Sequence, residues 1–229
     1  MAEESAYRGL PGLVARLRAP DGCPWDREQT HESLRPYLLE EAYEALDAID
    51  DGDRERLAGE LGDLLLQVLL HAQIASEAGA FDLEAVARRL ADKLVRRHPH
   101  VFGDEPYQGA DHITRWEQLK REESAEPKSV IAGVPATLPA LFMAERLLER
   151  VERVKMRPPV DAGEGIGERL FALVADARAK GLDAERELRV VNRRFADRFE
   201  RFEALARLNG RELETLTPHE VEDFWKQAK

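Results

Sequence analysis

The sequence predicts an all-α protein, and three observations support this fold class. Apolar residues recur at the three- and four-residue spacing of amphipathic helices along almost the whole chain. No run of alternating or β-branched residues indicates a sheet. Breakers fall between the periodic segments: Gly52 and Gly79 are expected to end helices, Pro99 to stop another, and Pro36 fits only a first turn. Helices are therefore expected near 8–18, 34–50, 54–78, 82–98, 110–123, 139–154, 167–180, 184–208 and 217–228.

Composition limits the classes of function. The chain has 229 residues, of which 43% are hydrophobic and 34% charged, as in folded helical proteins. A formal charge of -11 opposes binding to nucleic acid or to an anionic membrane, so a phosphate-bearing ligand needs locally placed cations. The longest aliphatic stretch, LLLQVLL, is far shorter than a membrane span, and the first residues do not resemble a signal peptide, so we expect a cytoplasmic protein. A single cysteine, Cys23, excludes an internal disulfide and a thiolate zinc site.

The order of short motifs indicates an internal duplication. A proline-containing stretch, SAEPKSVIAGVPATLP at 124–139, is typical of a linker. We therefore expect an N-terminal domain at 1–125, a linker at 126–138 and a C-terminal domain at 139–229. Three segments before the linker return after it in the same order, namely LPGL at 10–13 as LPAL at 138–141, DKLVRR at 92–97 as RRFADR at 193–198, and RWEQLK at 115–120 as FWKQAK at 224–229.

Two acidic segments interrupt apolar helices in the first half. LLEEAYEALDAI at 38–49 carries Glu41 and Glu44 on one side of its helix, and GELGDLLLQVLL at 59–70 carries Glu60 and Asp63 in the same way. The short connection predicts an antiparallel hairpin in which the four carboxylates face each other. Because burying unpaired like charges costs several kcal/mol each, a cation is expected between them. Nothing after the linker matches the first segment, so we interpret the second copy as degenerate.

An all-oxygen ligand set suits a hard divalent cation, Mg²⁺ or Mn²⁺ as a substitute. Magnesium completes its coordination with waters and substrate phosphates, so four carboxylates suggest more than one ion and a polyphosphate ligand. One alternative is a solvated acidic face with ordinary ion pairs. A second is a carboxylate-bridged di-iron site, for which Glu28 and His31 have the required spacing but no partner copy.

These residues resemble the MazG family of nucleoside triphosphate pyrophosphohydrolases. The family pattern, EExxE followed by ExxD, is similar to EEAYE at 40–44 and ELGD at 60–63. The resemblance extends to GCPWDREQTHESLRPYLLEEAYEALDAI at 22–49, DKLVRRHPHVF at 92–102 and RWEQLKREE at 115–123. It implies tandem all-α helical bundle units, with a four-helix-bundle type active site that is assembled in an oligomer, and we expect a homodimer.

The resemblance also implies a reaction. Family members hydrolyse nucleoside triphosphates between the α and β phosphates, with Mg²⁺ as cofactor, and release a nucleoside monophosphate and pyrophosphate. The implied metal ligands are Glu41, Glu44, Glu60 and Asp63. Glu40 is implied as a catalytic residue beside Glu41, because it precedes the ligands and can orient or deprotonate the attacking water. A role in cleaning the nucleotide pool is expected.

Substrate-binding residues are predicted outside the acidic segments. Lys93, Arg96 and Arg97 lie within one turn and are candidates for phosphate contacts, although basic residues are also favourable near a helix C-terminus. Lys120 is a weaker candidate of the same kind. Trp25 in CPWD is expected to stack on the base. Trp116 is a second aromatic candidate, and both tryptophans fit core packing equally well.

Two further residues, Gln67 and His71, continue the stripe of Glu60 and Asp63 along the same helix. They are positioned to orient metal ligands. Gln67 is retained as a marginal candidate, while His71 is left outside the site because a lone histidine is more often hydrogen-bonded in a core. Two alternative functions remain open: a pyrophosphohydrolase dedicated to one nucleotide, such as dUTP, dCTP or phosphoribosyl-ATP, and a nucleotide-sensing regulatory protein.

Overall fold

The computed structural model describes residues 6–104, 106, 129–157, 159–160 and 163–229. All regular secondary structure in these residues is helical, which confirms the predicted fold class. The chain divides into two compact units, Met1–Leu119 and Lys120–Lys229. The helix expected at 110–123 lies outside the described residues. The duplication and the degenerate second copy stay predictions. Within the described segments, no helix is both long and apolar enough to span a bilayer.

The helices of the first unit begin and end close to the predicted positions. Short helices after Cys23 and after His98 were not predicted; each has proline in its first turn, where the missing N–H costs nothing. Pro36 also lies in a first turn, as expected. The six helices are α1 (Ala6–Leu17), α2 (Pro24–Glu28), α3 (Arg35–Asp51), α4 (Arg54–Glu77), α5 (Leu83–Arg97) and α6 (Pro99–Phe102).

The α3–α4 hairpin is the central feature of the first unit. Gly52 ends α3 in the left-handed conformation with φ of 71°, and Asp53 caps α4 by accepting from the backbone N–H of Glu55 and Arg56. Two residues therefore reverse the chain. In the described residues, α3 packs against α4 more extensively than any other two helices pack together. The predicted hairpin is confirmed.

The core of the first unit combines residues of α1 and α4 with the residue that precedes α3. Val14, Leu34, Leu69 and Leu70 are buried together, so α1 and the residue preceding α3 pack on α4. Arg18, at the end of α1, has a side chain only 6% exposed and bonds to both carboxylate oxygens of Glu77. These contacts fix α1 and α4 relative to each other.

The second unit is a separate helical bundle. Val174, Phe202 and Ala206 are buried in its core, and Arg198 lies 4.0 Å from the ring centroid of Trp225. Thr217 and Glu220 form a reciprocal capping box at the last helix. Its helices match the predicted ones and are α7 (Ala140–Glu152), α8 (Ile166–Ala179), α9 (Ala184–Leu208) and α10 (Pro218–Gln227), with a 3₁₀ turn at Leu213–Thr215.

Candidate active site

Three of the four predicted metal ligands meet across the α3–α4 hairpin. Ligand oxygens of Glu41, Glu60 and Asp63 all lie within 4.8 Å of one another. We call these three residues the acidic cluster. Glu41 and Glu60 are half-buried and Asp63 is exposed, so the cluster opens towards solvent. Among the described residues this is the only such group of potential ligands, and it contains no histidine. The oxygen-only composition favours a hard cation over a di-iron site.

The remaining predicted ligand, Glu44, is not within this 4.8 Å group. It lies one turn after Glu41 on the same helix, is half-buried, and is close enough for its charge to act on Glu41. Glu40 is exposed beside them. The hairpin thus brings the three carboxylates of the acidic cluster together and places those of Glu44 and Glu40 nearby.

Electrostatics single out Glu41 within this group. Burial, followed by repulsion from Asp63, Glu44, Glu40 and Glu60, raises the pKa of the Glu41 carboxyl above its ordinary value. The folded chain therefore concentrates negative charge around Glu41 with too little positive charge to offset it. A bound divalent cation would relieve this repulsion.

Sequence reasoning missed the one cation that contacts the acidic cluster in the described residues. Arg56 Nε donates to Glu60 Oε1 at 3.2 Å, and its Nη1 lies 3.3 Å from Asp51 Oδ2. Arg56 precedes Glu60 by four residues, which is the spacing of helical ion pairs, so the sequence did contain a signal for this contact.

Two polar side chains, one buried and one half-buried, follow the acidic cluster along α4. Gln67 is 5% exposed, and its Oε1 has no hydrogen-bond partner among the described residues. His71 is half-buried and pairs with His31, the two Nδ1 atoms lying 2.7 Å apart. The sequence placed both residues on this stripe but gave no indication that His31 and His71 meet.

Trp25, the predicted base-stacking residue, is 50% exposed on α2. Its ring meets Tyr37 edge-on, with centroids 5.9 Å apart and planes inclined by 78°. Gln29 Nε2 donates to the Trp25 carbonyl at 2.9 Å, and Arg18 Nη1 donates to the carbonyls of Asp26 and Gln29. Hydrogen bonds therefore hold the backbone of α2, while Trp25 itself remains half exposed.

The predicted phosphate-binding cations lie on α5. Lys93 and Arg96 line a cavity of about 660 Å³ together with Arg89 and Phe81. Arg97 lies in the same last turn of the helix. The described residues lining this cavity do not include the acidic cluster, and the phosphate-binding role of these cations stays a prediction. Trp116 and Lys120 lie outside the described residues.

Comparison with known proteins identifies the family. The family described as the MazG nucleotide pyrophosphohydrolase domain matches residues 29–102, which contain the whole acidic cluster. The chain is also 40% identical over 246 residues to the nucleoside triphosphate pyrophosphohydrolase/pyrophosphatase MazG of Thermotoga maritima, covering 97% of this chain and 95% of that protein. The chain belongs to the MazG family.

Other relatives support the same MazG assignment. The nucleoside triphosphate pyrophosphohydrolase of Escherichia coli K12 is 38% identical over 248 residues, covering 95% of this chain and 94% of the relative. The Mycobacterium tuberculosis protein of the same name is 40% identical over 189 residues, covering 80% of this chain and 55% of the relative. The resemblance inferred from EEAYE and ELGD is therefore confirmed.

Proposed function

We propose that this chain is a nucleoside triphosphate pyrophosphohydrolase that cleaves between the α and β phosphates and releases pyrophosphate. The enzyme class is supported by membership of the MazG family and by the names of its relatives. The observation that carries the proposal is the meeting of Glu41, Glu60 and Asp63 across one hairpin. A broad range of nucleoside triphosphates, encountered in the cytoplasm during cleaning of the nucleotide pool, is the substrate class we propose.

The side chains present fit Mg²⁺, with Mn²⁺ as a substitute. The acidic cluster offers only oxygen ligands, and the raised pKa of Glu41 reflects burial and then nearby negative charge, which a divalent cation would offset. Glu44 would join these ligands from the next turn of α3. When bound, the cation supplies charge neutralisation on the phosphates and a more acidic water.

Other residues would bind and orient the substrate. Glu40 is exposed at the edge of the acidic group, where it would accept a proton from the attacking water. Lys93, Arg96 and Arg97 would hold phosphate oxygens, since phosphoryl transfer depends mainly on alignment and electrostatics. The half-exposed indole of Trp25 would stack on the base. Trp116 and Lys120 are proposed in similar roles from the sequence alone.

We also propose that the protein is a homodimer. The α3–α4 hairpin exposes large apolar side chains, which a second copy of the chain would remove from water. They are Leu38, Leu39, Leu46, Ile49, Leu61 and Val68. Sedimentation equilibrium of the purified chain tests this, and a monomer mass at micromolar concentration would contradict it.

Pyrophosphate release from each of the eight common nucleoside triphosphates, with and without Mg²⁺, tests the reaction. Glu41→Ala and Asp63→Ala should each abolish release while circular dichroism shows unchanged helicity. Glu55→Ala is the matched control, because Glu55 is an exposed acid on α4 outside the acidic cluster. Full activity in the Asp63 variant would overturn the proposal, and turnover of a single nucleotide would favour a dedicated enzyme.

A further inference from the structure

The contact between His31 and His71 is an imidazole–imidazole hydrogen bond. The ring planes differ by only 8°, and the centroids lie 5.1 Å apart. Stacked rings are separated by about 3.5 Å or more between their atoms. The Nδ1–Nδ1 distance of 2.7 Å between nearly parallel rings therefore means that the rings meet edge to edge. At this distance the two nitrogens share one proton and leave no space for a metal ion between them.

The environment of His71 indicates which ring donates. His71 Nε2 is buried without a hydrogen-bond partner among the described residues. An orphaned buried N–H is less favourable than an orphaned acceptor, so His71 should carry its proton on Nδ1 and donate it to His31 Nδ1. If both rings were protonated, both nitrogens would be donors and the bond would be lost.

The hydrogen bond joins two parts of the proposed site. His71 lies on α4, eight residues after Asp63, or about 12 Å along the helix. His31 lies in the turn before α3, where the Thr30 and Ser33 side chains accept from each other's backbone N–H. Gln29 connects this turn to α2, since Gln29 Oε1 accepts from Ser33 Oγ at 2.7 Å. Hydrogen bonds therefore join His31 and α2, the helix that carries Trp25, into one segment, which we call the Trp25-bearing segment.

We propose that His31 and His71 are positioning residues for the nucleotide, whose shared proton holds the Trp25-bearing segment at a fixed distance from the acidic cluster. This inference rests on the proposed function. The charged side chains that act on the pair are few: His31 is the only described group whose charge acts on His71. On the other side of the pair, Glu32 interacts with both His31 and Arg35. Arg18, which pairs with Glu77 of α4 and donates to the carbonyls of Asp26 and Gln29, joins the same segment to α4 without contacting either histidine.

Steady-state kinetics of three variants test the proposal. His31→Leu should raise KM by up to about tenfold, the equivalent of one hydrogen bond, with kcat within about twofold of wild type. His31→Asn places a polar atom at the Nδ1 position but cannot become cationic. It should restore KM and remove the decline of kcat/KM at acidic pH that the proposal predicts for the wild type. His219→Leu, at an exposed histidine of the second unit, is the matched control and should change neither constant.

NMR of ¹⁵N-histidine-labelled chain provides a measurement that does not depend on turnover. The wild type should show His71 protonated on Nδ1, and this signal should change in both His31 variants. An unchanged KM in His31→Leu, or the absence of an Nδ1–H tautomer at His71, would overturn the proposal. If the wild type releases no pyrophosphate, the proposed function fails instead; nucleotide affinity from calorimetry then replaces KM in the same comparison.

Discussion

Arg56 Nε donates to Glu60 Oε1 at 3.2 Å, so one carboxylate of the acidic cluster is paired with a cation from its own helix. The Arg56 side chain is 39% exposed, which makes this a weak, hydrated ion pair that a divalent cation can displace. The pair also explains why Glu60 is tolerated beside Glu41 and Asp63 in the folded chain.

Arg56 and a divalent cation compete for the Glu60 carboxylate, so replacing Arg56 should strengthen cation binding. Arg56→Ala is expected to tighten Mn²⁺ binding by roughly two- to fivefold, because an exposed ion pair contributes about 0.5–1 kcal/mol. Titration of Mn²⁺ followed by electron paramagnetic resonance measures the affinity. Arg54→Ala, in the same first turn of α4, is the control. Equal or weaker binding by the Arg56 variant would show that Arg56 does not compete for Glu60.

The raised pKa of Glu41 predicts how stability depends on pH without metal. Between the ordinary glutamate pKa and the raised value, the folded chain binds more protons than the unfolded chain. Its free energy of unfolding therefore falls as pH rises through this interval. Glu41→Gln removes the carboxyl that causes this fall in the free energy of unfolding. The stability gained by the substitution should therefore be larger near pH 7 than near pH 4.

Urea denaturation of wild type and Glu41→Gln at both pH values checks this prediction. Saturating Mg²⁺ at neutral pH should stabilise the wild type more than the variant, because the ligand set is then incomplete in the variant. Glu55→Gln controls for the loss of a charge elsewhere on the hairpin. A stability gain from Glu41→Gln that does not grow with pH would contradict the raised pKa of Glu41.

Local chemistry made the hairpin predictable from sequence. Gly52 supplies a left-handed residue and Asp53 a cap, and both effects act within a few residues. Spacing of three residues places Glu60 and Asp63 on one side of α4 whatever lies opposite. The short connection implied that α3 runs antiparallel beside α4. The contact of Glu60 and Asp63 with Glu41 could therefore be predicted as well.

Other parts of the site depend on packing that periodicity does not encode. Glu44 shares a helix side with Glu41, but which of them comes closest to α4 depends on how the two helices cross. The His31–His71 bond joins residues 40 positions apart, and neither flanking pattern identifies its partner. Lys93 and Arg96 are predicted to contact phosphates, and among the described residues their cavity is lined by α5 and Phe81, a grouping that periodicity does not reveal.

The Arg18–Glu77 pair should make a larger contribution to stability than the surface ion pairs of the first unit. Because the Arg18 side chain is nearly buried and donates to Glu77 and two backbone carbonyls, Arg18→Leu is expected to destabilise the chain by about 1–3 kcal/mol. Arg88→Leu, whose partner Glu84 is exposed, should cost less than about 0.5 kcal/mol. Urea unfolding measures both, and equal costs would contradict the prediction.

The Arg18–Glu77 pair predicts that the free energy of unfolding falls as pH falls, whereas Glu41 lowers it as pH rises. The hydrogen bond from Arg18 is the main cause that lowers the pKa of Glu77. A lowered carboxyl pKa contributes stability above the ordinary glutamate value, and that contribution is lost as pH falls towards the lowered value. The stability difference between wild type and Glu77→Gln should therefore shrink on acidification below about pH 4. A constant difference in urea titrations across that range would exclude this linkage.

Replacing Gln67 should have opposite effects on stability and on cation binding. Its side chain is buried and Oε1 lacks a partner among the described residues, so an unbranched apolar replacement removes an unsatisfied acceptor. Gln67→Met is expected to raise the free energy of unfolding by about 1 kcal/mol without metal. Because Gln67 lies one turn beyond Asp63, its oxygen can accept from a water on the bound cation, and its loss should weaken Mn²⁺ binding by about tenfold.

Urea unfolding and Mn²⁺ titration of the same preparation separate these two effects. Gln73→Met is the matched control on α4, where the amide donates to Glu77 Oε1 at 3.0 Å, so that substitution should lower stability and leave Mn²⁺ affinity unchanged. Lower stability in Gln67→Met would mean that the amide oxygen is satisfied in the folded chain. Higher stability with unchanged affinity would remove Gln67 from the proposed metal site without affecting the proposed roles of Glu41, Glu60 and Asp63, because their contact does not depend on the amide.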